Sequence, residues 1–245
     1  MCVFLSMRAD QSKLQKRFGS VEIDQEYFKP VYVQTAFEFP RWPLITAERP
    51  DRVSLHSWGL IPPWIRSAAD ARKFRVNTVN ARAETIFEKP AFRGAAASRH
   101  CLVLADGFFE FREVDGLKFP YFIRMREGRP FVMAGLYESW VDPGSGEVVP
   151  TFTIVTTQAN HLMATIHNRK KRMPVILPEE LEKGWLEPGS GKANLLAPCP
   201  DDWLEAWPVS GLITSRGGNR NVPEVQEPFN YAELSDAKPI QGSLF

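Results

Sequence analysis

Short runs of aromatic and β-branched residues recur along this chain, and each run is bounded by Gly, Pro or Asp. Such runs are typical of β-strands, because branched and aromatic side chains pack well on a pleated surface. The pattern predicts strands over 53–58, 101–104, 108–112, 121–125, 131–140 and 151–157. It also predicts hairpin-type turns at Asp106-Gly107 and over 142–146.

Helical patterns are fewer and shorter. They predict helices over 11–17, 81–88, 160–167 and 178–185. Asn80 stands where it could cap the second helix, and Pro178 stands at the first position of the fourth. Because these helices are short, we expect an α+β fold rich in β-structure: a partly closed, barrel-like sheet of mixed or antiparallel strands with short peripheral helices.

The chain shows no internal repeat and no low-complexity linker, and turn signals come at short intervals. We therefore expect a single domain over 2–227. Beyond it the periodicity is lost, and residues 228–245 are expected to form a C-terminal tail, either docked on the domain or free.

The composition is that of a soluble globular protein, with 245 residues, 44% of them hydrophobic and 24% charged. The 30 Lys and Arg balance 29 Asp and Glu, so a nucleic-acid partner would need a local basic patch. No apolar run reaches membrane-spanning length, and the first residues lack the features of a signal peptide. We expect a cytoplasmic monomer with no membrane partner.

Three cysteines, at positions 2, 101 and 199, form no Cys-x-x-Cys pair and have no histidine nearby at zinc-ligand spacing. Neither a zinc site nor a disulfide framework is indicated, and we expect no metal and no cofactor. A reducing cytoplasm suits such cysteines.

Cys2 directly follows Met1, and removal of Met1 would give it unusual chemistry. The residue would then carry an α-amine with a pKa of about 8 and a thiol with a pKa of about 8.5 on adjacent carbons. Such a 1,2-aminothiol traps aldehydes. The amine forms a Schiff base, and the thiol then closes on the imine carbon to give a five-membered ring.

Four further segments combine polar residues with aromatic or glycine residues in ways that a plain core does not require. They span 58–64, 79–85, 105–111 and 165–174. In the third, strand alternation places Glu110 on one face with Phe108 and Arg112, and Phe109 with Phe111 on the other. A carboxylate in such company either pairs with an arginine in a structural role or performs acid/base work.

These segments together resemble one family. The motifs of the SOS-response-associated-peptidase (SRAP) family are similar, in order and spacing, to Cys2, to Asn80-Ala81-Arg82-Ala83-Glu84-Thr85, to Ala105-Asp106-Gly107-Phe108-Phe109-Glu110, and to His167 ahead of Arg172-Met173-Pro174. Trp207-Pro208-Val209-Ser210 and Asn221 also fit. The resemblance covers positions 2 to 223.

Members of this family bind single-stranded DNA that carries an abasic site and become linked to it through the N-terminal cysteine. The ring-opened abasic sugar is an aldehyde, so the resemblance implies that Cys2 forms a thiazolidine that shields the lesion in a DNA damage response. By the same resemblance Glu110 and His167 move protons, Asn80 holds the terminal residue or the lesion, and Arg82 grips a phosphate. A cytoplasmic protein of this kind would associate with the nucleoid when bound to DNA.

Further DNA contacts follow from the resemblance. Trp64 and Phe109 are expected to stack on bases or to wedge the strand beside the lesion. Arg75 is expected to contact DNA, and the basic run from Arg169 to Arg172 is expected to extend a basic groove.

The chain also departs from the family pattern. Val3 and Phe4 follow the cysteine where the family has Gly-Arg, so an early phosphate-binding arginine is missing. Phe111 replaces the usual Trp. Extra residues separate His167 from the Arg-Met-Pro motif, which leaves open which arginine of the basic run is the family arginine. The family's Asn-containing segment is not recognisable over 32–40.

Two other functions stay open at this point. In a thiol peptidase or N-terminal-nucleophile hydrolase, Cys2, His167 and Asn80 would be nucleophile, base and orienting residue, and Met1 removal could be self-catalysed. A non-catalytic reader of single-stranded or modified DNA would use the aromatic and basic residues without covalent chemistry.

The last five residues, Gln241-Gly242-Ser243-Leu244-Phe245, resemble the short peptide with which bacterial replication and repair proteins bind the sliding clamp. A docking peptide must be accessible, and the end of a tail suits it. We expect Gln241, Leu244 and Phe245 to contact a sliding clamp.

Overall fold

The computed structural model describes residues 2–19, 22, 29–187, 192–215 and 217–235. Its strands are β1 (Phe4–Met7), β2 (Val31–Thr35), β3 (Arg41–Thr46), β4 (Arg49–Trp58), β5 (Asn80–Arg82), β6 (His100–Ala105), β7 (Gly107–Val114), β8 (Leu117–Met125), β9 (Phe131–Val141), β10 (Val148–Gln158), β11 (Arg172–Pro174) and β12 (Leu204–Pro208). Its α-helices are α1 (Gln11–Phe18), α2 (Ala68–Arg75), α3 (Arg93–Ser98), α4 (His161–Ile166), α5 (Glu179–Leu186) and α6 (Ala232–Ser235).

Five strands close into a barrel in the order β4, β3, β6, β9, β10 and back to β4. The β4–β10 pair is parallel, and the other four pairs are antiparallel. Gly135 of β9 pairs with both β6 and β10, and a Cβ there would lie 2.7 Å from the Val103 side chain. The barrel therefore needs glycine at this crowded point. The prediction of an α+β, barrel-like mixed sheet is confirmed.

A second sheet, antiparallel throughout, has the strand order β12, β8, β7, β1, β2. Strand β7 alternates as predicted: Phe108 packs in the main core, whereas Phe109 packs in a second cluster with Phe122 and Trp207. Glu110 therefore returns to the face of Phe108, toward the main core.

The corner between the two sheets lies at Asp106. Strands β6 and β7 belong to different sheets, so the predicted hairpin turn at Asp106-Gly107 is wrong. The Asp106 carboxylate accepts hydrogen bonds from Ser6 Oγ and from the Arg8 backbone N–H, each at 2.7 Å. These bonds fix the far end of β1 to the corner.

The predicted helix over 81–88 is also wrong. Residues Asn80–Arg82 form β5, which runs parallel to β10, and the Ala83 N–H continues the pairing by donating to the Thr156 carbonyl. Pairing with an existing strand satisfies the backbone groups that a helix would use, and this outweighs the modest helix propensity of Ala and Arg. Asn80 consequently caps no helix.

The other predicted elements are confirmed with small shifts of their ends. All six predicted strands lie within longer observed strands, and 142–146 connects β9 to β10 as a hairpin. Helix α5 begins one residue after Pro178, which is its N-cap. None of the described helices has both the length and the apolar character needed to cross a bilayer.

The first part of the predicted tail packs on the domain. The Phe229 N–H donates to the Pro208 carbonyl at 2.9 Å, and the Tyr231 hydroxyl donates to the Val209 carbonyl at 2.9 Å. The Tyr231 ring also packs edge-on against Phe119. Gln241, Leu244 and Phe245 lie outside the described residues.

Candidate active site

Cys2 lies just before β1, and Asn80 holds its backbone. Asn80 Nδ2 donates a hydrogen bond to the Cys2 carbonyl oxygen over 2.8 Å, and both residues are buried. Asn80 is itself positioned by β5, in register with Ile154 of β10. A strand attached to the barrel thus fixes the residue that precedes the second sheet.

The thiol of Cys2 is enclosed, with no exposed surface. Its Sγ lies 3.8 Å from the Phe4 carbonyl oxygen. Burial raises the pKa of this thiol, and the nearby carboxylate of Glu110 raises it further. The thiol is therefore protonated at neutral pH, and Glu110 is close enough to act on it electrostatically.

Glu110 and His167 form a buried pair beside Cys2. His167 Nδ1 lies 3.8 Å from Glu110 Oε1 and donates a hydrogen bond to the Arg172 carbonyl oxygen at 2.8 Å. Because a carbonyl only accepts, the proton of the neutral ring is on Nδ1 and the lone pair is on Nε2. Burial lowers the pKa of His167, although the Glu110 charge opposes this effect. The imidazole is neutral at pH 7 and suited to accept a proton.

The loop after His167 is fastened to β7 by Asn168. Asn168 Nδ2 donates to the Glu113 carbonyl at 2.7 Å, and Asn168 Oδ1 accepts from the Glu113 N–H at 3.1 Å. Strand β1 pairs with β7 as far as Phe4 and Phe109. The Asn168 side chain therefore pairs with the part of the β7 edge that β1 does not cover. This contact fixes His167 relative to the strand that carries Glu110.

A cavity of about 270 Å³ opens over this pair. Its lining residues are Glu110, Phe111, Glu113, Lys118, His167, Arg169 and Lys170. Glu110 and His167 line this cavity, whereas Cys2, which is held by Asn80, is buried close to Glu110. In the described part of the chain, no group of three His, Cys, Asp or Glu side chains is placed to hold a metal ion.

A family model described as SOS response associated peptidase (SRAP) matches residues 1–216. The chain belongs to this family. It is 41% identical over 182 residues to the abasic site processing protein YoqW of Bacillus subtilis, which covers 72% of this chain and 77% of YoqW. It is 31% identical over 211 residues to the abasic site processing protein HMCES of Gallus gallus, covering 76% of this chain and 60% of HMCES.

Solved structures share the fold of this chain. The crystal structure of a protein from Bacteroides thetaiotaomicron matches with a TM-score of 0.86 and 38% identity, covering 94% of this chain and 100% of that one. A second, from Bordetella bronchiseptica, has a TM-score of 0.73 and 28% identity, covering 85% of this chain and 100% of that one.

Three of the predicted DNA-contacting residues of this SRAP chain offer surface to a ligand. Arg82 is exposed on β5, two residues from Asn80. Trp64 is 47% exposed and packs edge-on against Phe74. Arg169 has a 69% exposed side chain at the cavity.

Arg75 and Arg172 are largely engaged within the fold. Arg75 donates to the Trp58 and Gly59 carbonyls at 2.9 and 3.0 Å, and burial and the nearby Arg72 lower its pKa to about 10. The Arg172 guanidinium contacts both carboxylate oxygens of Glu84, at 2.5 and 3.0 Å, with its side chain 11% exposed. Arg169 is therefore more accessible than Arg172.

Phe109 does not fit its predicted stacking role. Its ring has no exposed surface and lies 4.9 Å from the Phe122 ring, centroid to centroid, in the second cluster. A ring enclosed on both faces offers none to a base, so the structure gives Phe109 a packing role.

The sequence reasoning missed Asn168, Lys118 and Phe37. Phe37 is 54% exposed on a short 3-10 helix, and the hydrogen bond from Ala36 N–H to the Val3 carbonyl joins this helix to the residue that follows Cys2. An exposed aromatic ring so near Cys2 is suited to contact a base. Nothing in its local sequence distinguishes it from a core phenylalanine.

Proposed function

We propose that this SRAP protein reacts through mature Cys2 with the ring-opened sugar of an abasic site in single-stranded DNA, and so forms a covalent thiazolidine cross-link that shields the lesion. The observation that carries the proposal is the placement of Cys2 against Asn80, Glu110 and His167. The names of YoqW and HMCES support the same substrate.

The chemistry proceeds in two bond-forming stages. The Cys2 α-amine attacks the C1′ aldehyde and gives a carbinolamine, which takes up one proton and loses one water to become a protonated Schiff base. The thiol sulfur then adds to the same carbon while its proton leaves, and the nitrogen retains the electron pair of the broken C=N π bond. The net change is loss of one water, with no oxidant or reductant required.

Glu110 and His167 supply the proton transfers that both stages need. Each stage moves a proton between nitrogen, oxygen or sulfur, and a neutral imidazole beside a carboxylate can take one and return it. Because the Cys2 thiol is protonated at rest, a base must receive its proton when the ring closes. Glu110, which already acts on this thiol electrostatically, is the base for that step.

Asn80 orients the nucleophile. Its bond to the Cys2 carbonyl fixes the backbone next to the reacting amine and leaves the amine and thiol to turn toward the aldehyde. Met1 must be absent for this chemistry, because the α-amine is otherwise part of a peptide bond.

The thiol peptidase alternative is less well supported. Such an enzyme depends on a thiolate paired with an imidazolium, which requires a lowered cysteine pKa. Here burial and Glu110 raise the pKa of Cys2, and His167 donates its Nδ1 proton to a backbone carbonyl. Removal of Met1 by the chain itself is separable from cross-linking and is read from the intact mass.

The decisive experiment uses a single-stranded oligonucleotide with one uracil, before and after treatment with uracil-DNA glycosylase. Denaturing electrophoresis should show an adduct only after base removal, and intact mass should equal protein plus DNA minus one water. Cys2→Ala should abolish the adduct, whereas Cys199→Ala, which removes another buried thiol, should retain it. No adduct from protein with a confirmed Cys2 terminus would contradict the proposal. Binding without an adduct would identify a non-covalent reader.

The predicted clamp contact through Gln241, Leu244 and Phe245 stays a separate proposal with its own test. Full-length protein and a variant that ends at Ile240 should differ in heat of binding to a bacterial sliding clamp. Equal binding by both would end this idea without affecting the cross-linking chemistry.

A further inference from the structure

Three cations stand at the cavity over Glu110 and His167 without a part in the chemistry described above. They are Lys118 of β8 and Arg169 and Lys170 of the loop after His167, and we call them the cationic rim. Glu113 is the carboxylate next to these three cations. It lies directly opposite Lys118 in the β7–β8 hairpin, and its Oε2 is 3.3 Å from an Arg169 nitrogen.

The rim has more positive charge than its neighbours neutralise. The cavity lining carries three cations and two carboxylates, Glu113 beside the rim and Glu110 below it. Among the described residues, neither the Lys118 nor the Lys170 side chain has a hydrogen bond or an ion pair. The contact of Arg169 with Glu113 is exposed, and such pairs hold weakly enough to be exchanged for another anion. The opening above the reacting residues therefore has an excess of positive charge.

The rim is built on supports that fix its position. The hairpin that carries Lys118 turns at Asp115 and Gly116, whose φ values of 49° and 80° are those of a tight two-residue turn. On the other side, the two hydrogen bonds of Asn168 tie the loop to the same hairpin at Glu113. The Lys171 N–H closes the loop by donating to the His167 carbonyl at 2.8 Å.

We propose that the cationic rim binds a phosphodiester directly bonded to the abasic sugar, and so places the C1′ aldehyde over Glu110 and His167. This inference rests on the proposed function. Both flanking phosphates are attached to the sugar through its own oxygens, so a sugar that reaches the floor of the cavity leaves a phosphate near its opening. The rim supplies positive charge in a chain whose position 4 is Phe, where the family has an arginine.

The test uses sugars that differ only in the phosphate: 2-deoxyribose, 2-deoxyribose 5-phosphate and 2-deoxyribose 3-phosphate. Adduct formation with mature protein is followed by intact mass, and each rate is divided by that of free cysteine with the same sugar, which corrects for different aldehyde content. Wild type should prefer at least one phosphate-bearing sugar by about tenfold, as expected for a charge-assisted contact.

The variant Lys118→Ala/Lys170→Ala should lose most of this preference and keep the corrected rate with unphosphorylated deoxyribose. With abasic oligonucleotides, the DNA concentration that gives half of the maximal cross-linking rate should depend less steeply on salt in this variant than in wild type. Lys183→Ala, an exposed lysine on α5, is the matched control and should change neither.

The outcomes separate the two proposals. No adduct with any sugar or with abasic DNA contradicts the proposed function itself. Adducts that form with an unchanged phosphate preference in the double variant overturn the rim alone. An equal loss of rate with all three sugars also overturns it, because the lysines would then support the site and not the phosphate.

Discussion

The side chain of Asn168 pairs with the backbone of Glu113 as a neighbouring strand would, donating at 2.7 Å and accepting at 3.1 Å. Asn168→Ala removes both bonds and should cost about 1–2 kcal/mol in free energy of unfolding. Because the loop then loosens around His167, the cross-linking rate should fall, and its pH profile should shift toward the ordinary histidine pKa. Urea unfolding and single-turnover rates between pH 5 and 8 measure both effects.

Asn168→Asp separates the contributions of the two bonds. An ionised aspartate can accept from the Glu113 N–H but cannot donate to its carbonyl, so an intermediate rate is expected. If the Asn168→Ala pH profile coincided with that of wild type, the asparagine would have only a structural role.

Asn80→Ala should impair the reaction more than DNA binding. The variant leaves the buried Cys2 carbonyl without its donor, at a cost of about 1–3 kcal/mol in stability. The misplaced amine should lower the maximal cross-linking rate at saturating DNA. Time courses of quenched reactions with abasic oligonucleotides give this rate. Fluorescence anisotropy titrations with undamaged single-stranded DNA give the dissociation constant. A parallel loss of both quantities would show that Asn80 supports DNA binding instead.

Glu110→Gln should slow adduct formation while single-strand binding is kept. The amide preserves the shape of the carboxyl group but neither accepts a proton at neutral pH nor raises the pKa of the Cys2 thiol. We expect the rate to fall by about 10²-fold or more. Fluorescence anisotropy measures single-strand binding, and intact mass measures the amount of adduct. Equal decreases in both would make Glu110 structural.

Arg82→Ala should affect DNA binding, whereas Arg172→Ala should affect the stability of the fold. Arg82 is exposed, so its loss should weaken DNA binding and leave the free energy of unfolding within about 0.5 kcal/mol of wild type. Arg172 bonds Glu84 and also the Thr156 carbonyl, so its loss should destabilise the fold by about 1–3 kcal/mol. Urea unfolding and anisotropy on the same preparations compare the two. A stable Arg172→Ala variant with weak DNA binding would reverse these roles.

Stability should fall as the pH is lowered from 7 toward 4. Burial lowers the pKa of His56 and of His100 to about 4 and also lowers that of His167. Between about 6.5, the pKa of an unfolded histidine, and these lowered values, the unfolded chain binds more protons than the folded one, so acid favours unfolding. His56 and His100 should each contribute on the order of 1–2 kcal/mol by pH 5.

The histidine contribution can be isolated by substitution. His100→Phe should flatten the dependence of the urea midpoint on pH between 7 and 5, because it removes one of the titrating groups. His161→Gln, at an exposed position, should leave the dependence as in wild type. A slope that His100→Phe does not change would place the proton uptake elsewhere.

Most barrel strands were predictable from their apolar and β-branched residues, whereas β3 contains a proline and β5 depends on a distant partner. Pro43 argues against a strand over 41–46, yet β6 pairs with β3 only from Leu44 onward, so the missing N–H of Pro43 is tolerated. Strand β5 has three residues with no strand pattern, and its partner β10 lies about 70 positions away in sequence. Such pairings depend on tertiary contacts, which cannot be predicted from local strand propensity.

The candidate site divides in the same way. Cys2, Asn80, Glu110 and His167 could be predicted from motifs, because their side-chain chemistry is specific. Whether Phe109 is accessible depends on how β8 and β12 cover it, and the contact between Asn168 and β7 depends on where β1 begins. Neither is encoded within a few residues of the position concerned.

The four residues that are proposed to take part in the reaction do not belong to one structural layer. Cys2 and Glu110 are carried by the second sheet, whereas Asn80 depends on β10 and His167 lies between β10 and β11. A state in which both sheets are formed but have slid apart would retain nearly all its secondary structure and still separate the nucleophile from Asn80 and His167. The proposed cross-linking reaction would therefore report on the contact between the two sheets, and it would reveal a loss of docking that circular dichroism does not detect.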